Sequence, residues 1–300
     1  MSLNENEKEK EEDVTNTNRR AVLSAGASGV AALALGAKLG VAQPDDATPK
    51  AGAATRKLTE REVTYKSGAD EIRAFWAEPV PRPKAAIIVI HEIWGLNAHI
   101  RDVARRFARQ GYLTLAPDLY TRQGTPHLDL NDRAGLMKFV ASLSDPQIVA
   151  DLQAAIEYLN AQGMAKVGSI GFCMGGLYSY LLACQSEELS AAVDFYGRIV
   201  YAETSANKPV SPLELAPQLK SPLLCCFGET DASIPQGDVA SLRQALAGST
   251  PRDKMPFWKI NVYPGAGHAF FNDTRPSYNA AAAADAGTET LRFFQQHLKP

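Results

Sequence analysis

Little in this 300-residue chain points to a metal, a disulfide framework, nucleic acid or a permanent membrane anchor. Its four cysteines, Cys173, Cys184, Cys225 and Cys226, form no C-x-x-C pair and do not alternate with histidine. Neither a zinc site nor a thioredoxin-like motif is therefore written here, and we expect no metal and no cofactor. Lys and Arg total 31 against 33 Asp and Glu, and a net charge of −2 gives no electrostatic basis for nucleic-acid binding. The one glycine- and alanine-rich apolar run, Ala21 to Ala37, is weak in Leu, Ile and Phe and shorter than the ~20 residues a membrane span needs. No internal repeat and no second-domain boundary is visible. What remains is ordinary for a globular chain, 45% apolar and 21% charged, with length for one large domain.

The N-terminus is a separate object. Residues 1–18 are polar and charge-rich and read as disordered. Arg19 and Arg20 then precede the apolar run, Lys38 follows it, and Gly40-Val41-Ala42 offers a small-residue cleavage site. Residues 1–42 resemble a twin-arginine export signal, although Ala21-Val22-Leu23 lack the aromatic residue that usually follows the arginines. The expectation is export to the periplasm with only transient membrane contact, a cytoplasmic location being the alternative. Residues 43–57, rich in Ala, Pro, Asp and Thr, read as a linker, and 58–300 as the folded domain.

Within that domain, Glu62 to Tyr65 and Ile72 to Ala77 alternate polar and apolar around Ser67-Gly68-Ala69-Asp70, which predicts a hairpin. Ala85 to Ile90 is continuously apolar, the mark of a parallel strand covered on both faces. Asn97 can cap a helix whose Ile100, Val103, Ala104, Phe107 and Ala108 recur at helical spacing, and Gly111 ends it. Further strands are expected at Tyr112–Ala116, Ala191–Phe195, Pro222–Phe227 and Phe257–Tyr263. Helices are expected over Val149–Leu159, Val239–Leu246 and Thr288–Leu298. Thr121 to Asp145 reads as a long loop with at most one helix, of the kind that walls a pocket. Alternating strands and helices predict an α/β fold: a doubly wound, mostly parallel sheet with helices on both faces.

One stretch organises the rest. Ala165 to Cys184, AKVGSIGFCMGGLYSYLLAC, reads as strand, sharp turn and helix with Cys173 at the tip. Gly171, Gly175 and Gly176 suit a turn too tight for neighbouring Cβ atoms. This is the nucleophile elbow of the α/β-hydrolase fold, with cysteine where G-x-S-x-G has serine; the alternative is a buried structural cysteine. Asp231 and His268 each follow a later strand, so the chain order is nucleophile, acid, base. Asp231 could instead cap the next helix, a job for which Asp238 is better placed. A free thiol has a pKa of ~8.5, so Cys173 needs an imidazole or a helix N-terminus to ionise near neutrality. The elbow geometry assigns the oxyanion-binding amides to Met174, after the nucleophile, and Ile93, after the first long buried strand.

At HEIWGLN, LYTRQG, GFCMGG, GETDASIP and GHAFFN, over about residues 58–300, the chain resembles the dienelactone hydrolase (carboxymethylenebutenolidase) family. The resemblance implies hydrolysis of small lactones or esters by a Cys173–His268–Asp231 triad through an acyl-thioester. It also implies that Glu92 contacts the resting thiol and helps ionise it; a dipole-stabilised acid at a helix N-terminus is the plainer alternative. Arg122 matches a family position that binds the substrate carboxylate. The second family arginine is absent from His268-Ala269-Phe270-Phe271-Asn272, with Arg275 a later candidate. Trp94, Tyr120, Tyr196 and Phe270 are expected as pocket walls. A monomer or weak dimer acting on a small molecule is expected, and a non-catalytic or redox-sensing thiol protein on the same scaffold is the alternative.

Overall fold

Apolar runs long enough to be covered on both faces become the centre of one sheet. The computed structural model describes residues 56–124, 132–248 and 256–299; the expected export signal and nearly all of the linker lie outside them. An antiparallel hairpin, β1 (Leu58–Ser67) and β2 (Asp70–Pro79), turns at Gly68, whose φ of 60° suits glycine. β3 (Ala85–Ile90), β4 (Leu113–Pro117), β5 (Lys166–Phe172), β6 (Ala191–Phe195), β7 (Leu223–Gly228) and β8 (Trp258–Tyr263) follow. The sheet order is β1-β2-β4-β3-β5-β6-β7-β8, parallel from β4 to β8. Each parallel crossover carries the chain back over a face of the sheet, which sends the carboxyl ends of β3 to β8 to the same edge.

The helices are α1 (Ala98–Arg109), α2 (Arg133–Ser142), α3 (Asp145–Ala161), α4 (Met174–Gln185), α5 (Gln236–Gly248) and α6 (Ala280–His297). The period of two in β3 splits the core between them. Ile88 and Ile90 pack with Leu152 and Ile156 of α3 and Leu181 of α4, and Ile87 and Val89 pack with Val103 and Phe107 of α1 and Phe294 of α6. Asn97 caps α1 by accepting from Ile100 N–H at 3.1 Å. The Thr121–Asp145 stretch holds more structure than its irregular sequence suggested: a 3₁₀ turn at Thr121–Gln123, α2, and the first residue of α3. Helix α6 starts eight residues before the expected Thr288. Its first turns are nearly all alanine, which has high helix propensity but no amphipathic pattern, and Asn279 caps them by accepting from Ala282 N–H. No helix among the described residues is long and apolar enough to cross a membrane.

Candidate active site

Sterics fix the tip of the elbow. A Cβ on Gly171 would lie 1.8 Å from Gly175 O, and one on Gly175 would lie 2.2 Å from Ile90 O, so β5, α4 and β3 meet through bare backbone. Cys173 takes up the turn with φ 55° and ψ −112°, a conformation costly for a residue with a side chain. Its N–H donates to Phe195 O at 2.9 Å, and its half-buried side chain stands at the N-terminus of α4.

The loops after β7 and β8 bring a carboxylate and an imidazole to that thiol. His268 Nδ1 lies 2.7 Å from Asp231 Oδ2, while Asp231 Oδ1 accepts from Ser233 N–H at 2.8 Å. Asp231 therefore holds its own turn and the imidazole with separate oxygens. Burial pushes His268 down, but the hydrogen bonds to Asp231 and Cys173 outweigh it and bring the imidazole up to about 10. The edge of the Tyr196 ring packs against the imidazole, centroids 5.2 Å apart.

Glu92 follows β3 and is buried, and one of its carboxylate oxygens has a partner that the sequence did not suggest. Asn272 Nδ2 donates to Glu92 Oε2 at 2.7 Å, and the thiol lies beside the His268 imidazole. Asn272 can only point this way round, because its Oδ1 already accepts from Thr274 N–H and Oγ1. Burial raises the Glu92 carboxyl above its ordinary range, opposed by Asn272, Arg275 and His268. Ile93 and Met174 both border the pocket. Among the described residues the Ile93 N–H has no backbone acceptor, and Met174, first in α4, has none within its helix.

The pocket above Cys173 has a volume of about 640 Å³. Met137, Val140, Leu177 and Ile234 are among its apolar lining residues, and Trp94, Arg198 and Arg275 line it too. The Arg275 guanidinium lies 4.1 Å from the centre of the Trp94 ring and makes no ion pair among the described residues. Asp145, buried behind the wall, accepts from Tyr178 and Tyr201 hydroxyls at 2.9 and 2.6 Å and from Lys208 Nζ at 2.7 Å. Sequence carried no signal for the Asp145 or Asn272 contacts, which join positions 33 to 180 residues apart.

Four expected pocket residues are placed differently. Arg122 is turned to the far end of the hairpin, bonded to Asp151 at 2.7 Å, to Ser67 O at 3.1 Å and to Asp70, and it does not border the pocket. The buried Asp151 carboxylate claims its guanidinium. Phe270 is wholly buried among Phe195, Tyr196 and Tyr263, and Tyr196 itself is fully buried beneath His268. Tyr120 is buried behind Ile93 rather than facing the cavity. Aromatic residues at strand ends satisfy the core here before they reach a ligand.

A mostly parallel eight-stranded sheet with helices, and a tight strand–turn–helix at Cys173 after β5, is an α/β-hydrolase fold. Within that class the chain belongs to the dienelactone hydrolase family, whose model matches residues 72–298. A relative from Escherichia coli K12, provisionally named carboxymethylenebutenolidase, is 39% identical over 240 residues, covering 78% of this chain and 86% of its own. Another of that name from Saccharolobus solfataricus is 35% identical over 274 residues, covering 80% of this chain and 100% of its own. The crystal structure of a provisionally named dienelactone hydrolase from Klebsiella pneumoniae superposes with a TM-score of 0.74 at 36% identity, over 80% of this chain and 99% of that one.

Proposed function

We propose that this chain hydrolyses small lactones or esters, of the kind the names of its relatives describe, through an acyl-thioester on Cys173. The observation that carries this reading is the row Asp231–His268–Cys173, in which Asp231 holds the imidazole at 2.7 Å beside a thiol at the N-terminus of α4, on the wall of a pocket. The Cys173 thiolate attacks the carbonyl carbon, a C–S bond forms, and the carbonyl oxygen becomes an oxyanion held by the Ile93 and Met174 amides. His268, as imidazolium, gives its proton to the leaving oxygen as the C–O bond breaks. In a lactone that oxygen stays tethered to the acyl chain. Water then attacks the thioester with His268 taking its proton, and the acid leaves as the thiol re-forms. Asp231 orients the imidazole and supports its charge.

Arg275, over the Trp94 ring and in no ion pair among the described residues, supports recognition of an acidic group on the substrate in place of Arg122. The apolar lining residues Met137, Val140 and Leu177 suit the hydrocarbon part.

The test is mass spectrometry of the protein mixed with an activated aryl ester. An acyl adduct on Cys173 is expected, and Cys173→Ala should lose the adduct and at least ~10³-fold in turnover. Full activity in that variant would overturn the proposal; absence of any turnover, with reversible oxidation of Cys173, would favour the thiol-sensor alternative.

A further inference from the structure

An oxyanion-binding amide must be aimed as well as free. Met174 N–H is aimed by its helix, but Ile93 lies in the turn after β3, where no ladder fixes it. A planar trans peptide sets each N–H opposite the carbonyl of the preceding residue, so whatever holds Glu92 O also sets the direction of Ile93 N–H. Glu92 O is 2.6 Å from His91 Nδ1 and accepts from Gly95 N–H at 3.2 Å. The His91 tautomer is decided by its other nitrogen. Leu119 N–H donates to Nε2 at 3.1 Å, which leaves the hydrogen on Nδ1 to donate to Glu92 O. Burial holds the imidazole below its ordinary pKa, in the neutral form that this arrangement requires.

The peptide on the other side of Ile93 is held by a second group. The Tyr120 hydroxyl donates to Ile93 O at 2.9 Å and lies 3.8 Å from Met174 Sδ, the side chain of the other amide donor. Its ring meets His91 edge-on at 4.9 Å and packs against Gly95. Leu119 and Tyr120 both follow β4, so the whole assembly hangs from the end of one buried strand. Fixing both peptides that flank a residue fixes its φ and ψ.

We propose that His91 and Tyr120 are positioning residues forming a brace, anchored on the end of β4, that aims the Ile93 amide and seats it beside Met174 to receive the oxyanion. The inference rests on the hydrolytic reading above. Neither side chain touches the substrate; each acts through the loop.

Tyr120→Phe removes the hydroxyl and keeps the ring. It should lower kcat on an aryl ester about 10- to 100-fold with KM within about twofold, because the amide is needed most in the transition state. Alkylation of Cys173 by iodoacetamide should keep its rate, since displacement at a saturated carbon creates no oxyanion. An aldehyde inhibitor, which adds to the thiol as a tetrahedral adduct, should bind more weakly by a similar factor. His91→Asn, which keeps a donor near the Nδ1 position, should retain more activity than His91→Gln. Unchanged kcat in Tyr120→Phe would overturn the brace, as would equal losses in kcat, alkylation rate and thermal midpoint, the pattern of a merely structural tyrosine. If the parent protein takes no acyl group on Cys173, the hydrolytic reading fails and the brace with it. Acylation of the parent and of Tyr120→Phe at one rate removes the brace alone.

Discussion

His268 stands between opposing influences: burial disfavours its charge, and Asp231 and Cys173 favour it more strongly. With the folded value up near 10, the imidazolium persists through neutral pH and can protonate a leaving oxygen there. Activity should fall on the alkaline side as that proton is lost. Asp231→Asn keeps the side chain's shape and removes its charge. The alkaline limb of the kcat/KM profile should move to lower pH by a unit or more, and kcat should drop by roughly 10²–10⁴-fold. A profile recorded from pH 6 to 10.5 reads both effects, and a limb that stays in place would show that Asp231 does not sustain the imidazolium. Glu92 presents a second balance of this kind, with its carboxyl raised by burial and held by Asn272.

At the scale of elements, the elbow depends on three segments touching without side chains. Gly171→Ala places a methyl group inside the Gly175 carbonyl, which neither β5 nor α4 can yield without separating. A loss of at least ~3 kcal/mol in urea unfolding is expected, at the severe end for a single methyl. Gly237 makes the control, since nothing lies within 4 Å of a Cβ there and it sits inside α5 with ordinary φ. Gly237→Ala should stabilise by about 0.5–1 kcal/mol. If the two changes cost the same, the close approach is not what glycine serves at 171. The Pro212–Gln218 3₁₀ turn and the Ala-rich start of α6 show the reverse situation, in which elements form without a periodic apolar signal.

Across the whole molecule, the β1–β2 hairpin is fastened to α3 around the buried Asp151, with Arg122 as its cation. Arg122 reaches Asp151, which is 4% exposed and also accepts from Ser67 Oγ at 2.6 Å and Gln147 Nε2 at 3.2 Å. Arg122→Ala leaves that buried carboxylate short of its cation and should cost roughly 3 kcal/mol. Guanidinium chloride unfolding measures the loss. Because Arg122 stands outside the pocket, KM for a carboxylate-bearing ester should stay within about twofold of the parent. A raised KM with unchanged stability would return Arg122 to substrate binding.

The division between what was legible in the chain and what was not follows from the range of the forces involved. Buried strands announced themselves because coverage on both faces demands continuous apolar runs, as in Ala85–Ile90. The elbow was legible because its glycines and Cys173 are close in sequence, and the order Cys173, Asp231, His268 because each follows its own strand. Partner choice was not legible. Arg122, Glu92 and Tyr120 each had more than one chemically sound role, and only folding decided which distant atom lay within 3 Å. It gave Arg122 to Asp151, Glu92 to Asn272 and Tyr120 to Ile93, since a buried polar group takes the nearest partner that its packing allows.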